Sequence, residues 1–117
     1  MNTFICYERC STCRKAQKWL DGHGIEYTAR PIREQKPTAQ ELSMWIPRSG
    51  KSAGKFFNTS GQLYRGMGLS ARVKDMTDEE MIELLSTDGM LVKRPLLIMD
   101  GDVLVGFKEA EWAEKLL

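Results

Sequence analysis

The chain has 117 residues, of which 42% are hydrophobic and 28% charged, and its formal net charge at pH 7 is +1. These values are typical of a single globular domain with a sizeable core. A charge this close to zero provides no strong attraction to nucleic acid or to a membrane surface, so we expect no direct nucleic-acid binding. No apolar run approaches the roughly 20 residues of a membrane span, so no membrane association is expected.

The N-terminal segment MNTFICYERC has neither the basic region nor the long apolar core of a secretory signal peptide. We therefore expect a cytosolic protein. In that reducing compartment a structural disulfide is rare, and paired cysteines serve more often as reactive thiols.

The first third of the chain predicts a β-α-β unit. Residues 3–7 are β-branched and aromatic, as in a short buried strand. The apolar spacing predicts a helix from residue 11 or 12 to residue 21, ended by glycines. Residues 25–32 predict a second strand, with Pro31 at its end or at an edge of the sheet. Because the links are short, these two strands should run parallel.

The middle of the chain, about residues 36–90, predicts a helical insert. Thr38 and Thr77 each begin a capping box, in which a glutamate follows three residues later. The first of these helices is predicted to stop at Pro47. Lys55 is predicted to lie on a short helix between the two.

The last third predicts a β-β-α unit. Residues 96–99 and 102–105 read as buried strands, and the Asp-Gly pair between them is a hairpin signal. Residues 108–117 form an amphipathic helix. The order β-α-β, helical insert, β-β-α predicts an α/β protein of the thioredoxin-like fold, with a four-stranded mixed sheet. We interpret residues 1–117 as one such domain.

Two cysteines, Cys10 and Cys13, lie where the first strand meets the first helix. A helix N-terminus carries about half a positive charge and unpaired N–H groups, which stabilise a thiolate. Arg14 follows directly and adds positive charge. The thiolate is the form of cysteine that attacks disulfides and electrophiles, so the pair predicts a dithiol redox site.

Three other interpretations of these cysteines are open. They could be small apolar residues of the core. They could form half of a zinc site, although only Cys6 and His23 would remain to complete the usual four ligands. The spacing C-x3-C-x2-C also resembles the cluster loop of radical SAM enzymes, but that loop belongs to a barrel of about 200 residues or more. We therefore expect no metal.

Arg94 and Pro95 immediately precede the third predicted strand. In thioredoxin-like folds a proline at this place is typically cis and faces the dithiol, and cis bonds are largely confined to proline. Arg94 would then lie beside Cys10, where it could stabilise the thiolate or bind an anion in a bidentate manner. The alternative is a surface arginine at the end of a loop.

Four segments, in the same order, resemble the arsenate reductase (ArsC)/Spx family, and the resemblance covers nearly the whole chain. They are residues 10–20, 56–64, 93–96 and 106–112. Similarity to glutaredoxin-linked arsenate reductases implies that Cys10 is a nucleophile toward arsenate and that Arg94 is one of the arginines that hold the oxyanion. The family's middle arginine falls near Lys55, and its last one near Lys108.

The resemblance also implies a second function. A C-x-x-C pair is the pattern of the Spx branch, whose founding type is a thiol-controlled regulator that binds RNA polymerase. Cys10, Cys13 and Arg14 match that branch.

We therefore predict a thiol-dependent oxidoreductase in which Cys10 attacks and Cys13 resolves the adduct, with an Spx-type regulator as the alternative. The predicted anion- and substrate-binding residues are Ser11, Thr12, Arg14, Lys55, Arg94 and Pro95. No nucleotide-binding loop is present, so no bound cofactor is expected. Glutathione with glutaredoxin, or thioredoxin, would be the external reductant. The expected partner is a small thiol or redox protein, and RNA polymerase if the protein is Spx-like.

Overall fold

A mixed four-stranded sheet organises the fold of this computed structural model, which describes residues 2–117. The strands, β1 (Thr3–Cys6), β2 (Thr28–Pro31), β3 (Leu96–Ile98) and β4 (Val103–Val105), lie in the order β2-β1-β3-β4. The central strand β1 pairs parallel with β2 and antiparallel with β3, and β3 and β4 form a hairpin. The predicted four-stranded mixed sheet is confirmed.

Six α-helices and three short 3-10 helices complete the described part of the chain. The α-helices are α1 (Ser11–Gly22), α2 (Ala39–Ser49), α3 (Gln62–Gly66), α4 (Leu69–Arg72), α5 (Asp78–Leu85) and α6 (Glu109–Leu116). The 3-10 helices are Ala53–Phe56, Val73–Asp75 and Gly89–Leu91. Among residues 2–117, no helix combines the length and the apolar character needed to cross a bilayer.

The sheet separates two apolar cores because alternate residues of a strand point to opposite faces. Phe4 and Leu97 lie on one side, where they pack with residues of α1 and α6 such as Leu20 and Trp112. On the other side, the helices between β2 and β3 supply most of the core. Its fully buried members include Ile5, Ile32, Leu42, Phe56, Leu69, Leu85, Leu91, Val92 and Leu96.

Strand β2 is shorter than predicted, and β1 supplies the reason. Thr28 is the first residue of β2 with a partner, because it lies opposite Thr3 at the start of β1. Asn2 precedes Thr3 in the chain. Its backbone carbonyl accepts a hydrogen bond from the Thr28 N–H at 2.9 Å, and its side-chain amide donates to the Glu26 carbonyl at 3.1 Å. Residues 25–27 therefore precede β2 without a strand partner.

The predicted stop of α2 at Pro47 is wrong. The helix continues through Pro47 to Ser49 and ends at Gly50, which adopts the left-handed conformation with φ of 70°. A proline in the last turn removes one backbone donor only. The Ser49 hydroxyl supports this turn by donating to the Ile46 carbonyl at 2.6 Å. Both predicted capping boxes, at Thr38 and Thr77, are confirmed.

Gly89 marks a close approach between the 3-10 helix Gly89–Leu91 and the chain after β2. A Cβ atom at this position would collide with the backbone carbonyl of Ile32 and touch the side chain of Lys36. Because both Gly89 and Ile32 are buried, the backbone would have to move to admit a methyl group.

We expect Gly89→Ala to lower the free energy of unfolding by about 2–3 kcal/mol, the usual cost of overpacking a core. Gly22→Ala is the matched control, because a Cβ there meets nothing within 4 Å. Alanine should leave that position unchanged or raise stability by up to about 1 kcal/mol through helix propensity. Urea denaturation of both variants measures the difference, and equal stabilities would contradict the close approach.

A candidate thiol site at the start of the first helix

The pairing of β1 with β3 brings Arg94 to the thiols. Ile5 lies opposite Leu96 in this antiparallel pair, so the same register continued by two residues sets Tyr7 opposite Arg94. The contact is present: the guanidinium carbon of Arg94 lies 5.0 Å from the centre of the Tyr7 ring. The Arg94–Pro95 peptide bond is cis, in agreement with the expectation from the fold.

Cys10 is the N-cap of α1. Its backbone is extended, with φ of −92° and ψ of 121°, and its N–H donates to the Tyr7 carbonyl at 3.0 Å to close the turn after β1. Its carbonyl accepts the first helical hydrogen bond, from the N–H of Arg14 at 3.1 Å. The first N–H groups of α1 have no partner within the helix, and the Cys10 side chain forms no capping hydrogen bond with them.

The pKa of Cys10 lies below its ordinary value. Partial burial acts to raise it, but the influence of nearby donors acts in the opposite direction and outweighs burial. These contributions come, in order of size, from the backbone and side chain of Cys13, from the guanidinium of Arg94 and from the backbone of Thr12. Donors that face a sulfur favour its thiolate form.

The pKa of Cys13, in contrast, lies above its ordinary value. Its side chain is buried, and its sulfur accepts a hydrogen bond from the Tyr7 N–H at 3.4 Å. Burial above all, together with repulsion from the neighbouring sulfurs of Cys10 and Cys6, raises the pKa of Cys13 to about 12. At neutral pH, Cys13 is therefore a thiol beside a more acidic Cys10.

Cys6, the third cysteine, is half-buried at the end of β1, where it packs against the core formed with α1. Burial raises its pKa, and the charges of Cys10 and Glu8 add to this effect. All three cysteines are free thiols. In residues 2–117, no three His, Cys, Asp or Glu side chains are arranged to hold a metal ion.

Arg94 has donors without partners. Its Nε and Nη1 atoms are buried and make no hydrogen bond within the described chain. A buried donor left unpaired costs about 1–3 kcal/mol, and more when the group is charged. An anion placed between Arg94 and the first turn of α1 would satisfy these donors, and a helix N-terminus is itself suited to anions.

Cys10 and Arg94 open into a cavity of about 800 Å³. Its wall is mixed in character, with cationic, neutral polar and apolar side chains. The other lining residues are Tyr7, Thr12, Arg33, Asn58, Ser60, Gly61, Gln62, Leu63, Asp88, Met90, Lys93, Val105, Gly106, Phe107 and Lys108.

Residues 6–115 of the chain match the ArsC family. The chain belongs to the ArsC family. The resemblance seen in the sequence is confirmed, as is the thioredoxin-like fold, because the structure matches solved ArsC-family proteins over nearly its full length. A related protein from Bacteroides fragilis is 52% identical, with a TM-score of 0.95 over 97% of this chain and 95% of that one. A possible arsenate reductase from Streptococcus mutans is 40% identical, with a TM-score of 0.90 over 99% and 98% of the two chains.

Relatives known by sequence include regulators as well. YusI of Bacillus subtilis is 47% identical over 96% of this chain and 95% of its own. The regulatory protein MgsR of the same organism is 29% identical over 93% and 85%. The global transcriptional regulator Spx of Staphylococcus epidermidis is 24% identical over 95% and 83%. This ArsC-family member is thus related both to arsenate reductase-like proteins and to Spx regulators.

The structure brings together only some of the predicted site residues. Thr12 lines the cavity with Cys10 and Arg94, whereas Ser11 is exposed and lies outside its lining. Arg14 is also outside, because its Nε donates to the Glu8 carbonyl at 3.1 Å and braces the turn before α1.

The other two predicted binding residues differ in position. Pro95 is buried and is not part of the cavity lining, and its carbonyl accepts the Gly106 N–H at 2.8 Å. Lys55 is exposed on the 3-10 helix Ala53–Phe56 and is not part of the cavity lining. The structure therefore does not place Lys55 in the anion-binding role expected from the resemblance.

Sequence reasoning missed the cationic residues that do line the cavity. They are Arg33, Lys93 and Lys108. The only sequence signal for Lys93 was its position next to Arg94. The only signal for Lys108 was its position near the last arginine of the family. Nothing in the sequence links Arg33 to the thiols, because it lies in the connection after β2.

The hydrogen bonds to Cys10 predict its pH profile. Because its pKa is lowered, alkylation by a neutral reagent should reach half its maximal rate below the pH of about 8.5 that is ordinary for a cysteine. Removal of one donor with Arg94→Met should raise the pKa and move the profile to higher pH. Arg14→Met is the control, because Arg14 is exposed and bonds only to the Glu8 carbonyl.

The measurement is the rate of iodoacetamide labelling across pH, with the label assigned to Cys10 by mass spectrometry. Cys13 should stay unlabelled across neutral pH, as its pKa of about 12 requires. An Arg94→Met profile identical to that of the control would contradict the role of the guanidinium.

Proposed function

We propose that this ArsC-family member is a thiol-dependent oxidoreductase with Cys10 as the nucleophile and Cys13 as the resolving thiol. One observation carries the proposal. A partly exposed cysteine of lowered pKa lies at a helix N-terminus, beside a half-buried arginine whose buried Nε and Nη1 atoms lack partners. This combination of thiolate and cation suits a nucleophile that attacks a polar or anionic centre.

With a disulfide substrate, the Cys10 thiolate attacks one sulfur, a new S–S bond forms, and the other half of the substrate leaves as a thiolate. Cys13 then loses its proton and attacks the Cys10 sulfur, which releases the second half as a thiolate. The two cysteines are oxidised to one disulfide, and the substrate is reduced to two thiols. The exchange balances without any further oxidant.

The electrostatic coupling of the two sulfurs gives this sequence its order. Burial is the main cause of the raised pKa of Cys13, and the charge on Cys10 adds to it. When the Cys10 thiolate is consumed in a covalent adduct, that charge is gone. The pKa of Cys13 then falls, so the second thiol becomes more reactive only after the first has reacted.

An external thiol must return the disulfide to the dithiol for turnover. We propose glutathione with glutaredoxin, or thioredoxin, in the cytosol, as the resemblance implies, with no bound cofactor. Arsenate is a candidate substrate because the unpaired donors of Arg94 and the start of α1 could bind an oxyanion next to Cys10. Electrophilic sulfur is the other candidate, and the C-x-x-C pair suits it.

A regulatory role is the second proposal, supported by the similarity to MgsR and Spx along most of the chain. In this role Cys10 and Cys13 would toggle between dithiol and disulfide as a sensor. The partner implied by the Spx resemblance is RNA polymerase. Both proposals use the same thiol chemistry. They differ in the partner of the oxidised protein, which is a reductant for the enzyme and RNA polymerase for the regulator.

Cysteine substitutions test the enzymatic proposal. Thiol oxidation that depends on arsenate, or on a small disulfide, would be followed with glutathione/glutaredoxin and with thioredoxin in separate reactions. Cys10→Ser should abolish turnover because the two remaining thiols, Cys13 and Cys6, have raised pKa values and stay protonated at neutral pH. With the small disulfide and no external thiol, Cys13→Ser should stop at a mixed disulfide on Cys10, visible as added mass.

Cys6→Ser is the matched control and should keep turnover close to wild type, since Cys6 packs into the core behind the site. If the wild-type protein turns over neither substrate with either reductant, the enzymatic proposal fails.

Capture of RNA polymerase tests the second proposal. The reduced and the oxidised protein would each be immobilised and exposed to purified RNA polymerase, with a Cys10→Ser variant as the redox-insensitive control. Capture that differs between the two redox states would support a sensor. No capture in either state would remove the regulatory proposal.

A further inference from the structure

The cavity next to Cys10 is lined by more cationic side chains than a small anion bound by Arg94 would need. Besides Arg94, three cations line it: Arg33, Lys93 and Lys108. None of these three side chains has an ion pair or a side-chain hydrogen bond among residues 2–117. Asp88 is the one carboxylate in the lining, and it accepts a hydrogen bond from the Met90 N–H at 2.9 Å. The chain as a whole has a formal charge of only +1.

The backbone fixes where Lys93 lies. Its N–H donates to the Phe56 carbonyl at 2.7 Å, and the Cε atom of its side chain lies close to Gly106. A Cβ at Gly106 would lie only 3.1 Å from the Lys93 Cε, so the close contact depends on glycine. Lys108 follows two residues later and lines the same cavity. The two lysines therefore come from different loops to one wall.

The cavity is larger than an anion bound by Arg94 and the start of α1 would need. An oxyanion held by Arg94 and the start of α1 is comparable in size to a few water molecules, at about 30 Å³ each. It would fill only a small part of about 800 Å³. The remaining wall is partly apolar, with Tyr7, Leu63, Met90 and Phe107. Such a wall suits a ligand with an organic body that continues past the reacting atom.

We propose that Lys93 and Lys108 form an outer anion subsite that selects substrates with a carboxylate attached near the sulfur that Cys10 attacks. The proposal rests on the proposed thiol exchange and names its substrate class, organic disulfides that carry an acidic group. The lysines take no part in bond making. Cys10 forms the new S–S bond, the old one breaks, and the departing half leaves as a thiolate while the retained half keeps its carboxylate on the lysine wall.

Two disulfide probes separate charge from reactivity. Dithiobis(nitrobenzoate) carries a carboxylate on each half, and dithiodipyridine is neutral. The rate of one turnover of the reduced protein with each probe would be measured at low salt and divided by the rate with mercaptoethanol as a free thiol. The quantity of interest is the ratio of these normalised rates, anionic over neutral. A change in the pKa of Cys10 moves both rates together and leaves the ratio unchanged.

The variants remove charge while keeping side-chain length. Lys93→Met and Lys108→Met should each lower the ratio by about threefold to fivefold, the range expected of one exposed charge pair. The double variant should lower it by about tenfold. Lys55→Met is the matched control, because Lys55 is exposed outside the cavity, and it should leave the ratio unchanged. High salt should reduce the wild-type ratio, since screening at 1 M acts beyond about 3 Å.

A wild-type ratio near one would overturn the subsite. So would equal ratios in the wild type, Lys93→Met and Lys108→Met, or a fall as large in the Lys55→Met control. These outcomes are distinct from failure of the proposed function. If neither probe reacts faster with Cys10 than with mercaptoethanol at neutral pH, the activated nucleophile is contradicted, whereas the ratio still reports on the lysines.

Discussion

The antiparallel pairing of β1 with β3 is the constraint on which the site depends. It sets the start of β3 against the end of β1, so the residue before Pro95 meets the turn that leads into α1. Arg94 is thereby held over Tyr7 with its guanidinium beside the Cys10 sulfur. Neither segment could build the site alone, because 84 positions of chain separate Cys10 from Arg94. The buried residues of β1 and β3, such as Ile5 and Leu96, keep this register because a shift by one residue would turn them out of their core.

Two cysteines one turn apart differ strongly because their surroundings differ. Cys10 lies at the open end of α1, where backbone donors and a guanidinium offset the effect of burial. Cys13 faces inward and has a single backbone donor, the N–H of Tyr7. The same helix therefore holds one sulfur with a lowered pKa and a second with a raised pKa. The asymmetry arises from the helix end and from burial, and it needs no metal or additional base.

The sequence was informative where local chemistry decides structure and less so where distant segments meet. The capping boxes at Thr38 and Thr77 and the position of Cys10 before a helix all follow from short-range rules. The glycine-rich stretch 61–68 hid α3 and α4, since two helices of five and four residues have no lasting periodicity. Lys55 was expected in the site from the family resemblance, whereas Lys93, whose Cε lies close to Gly106, is the lysine that lines the cavity. Only the assembled fold could distinguish these two lysines.

The aromatic packing behind the site has an optical consequence. Trp19 on the thiol-bearing helix and Trp112 on α6 lie 6.2 Å apart, and both are in contact with Phe107, which lines the cavity. Trp112 also donates its indole N–H to the Gly106 carbonyl at 3.0 Å. The third tryptophan, Trp45, lies in the opposite core beneath Arg30. Two of the three tryptophans therefore contact a residue of the cavity wall, so their fluorescence would respond to changes there, whereas the third lies across the sheet.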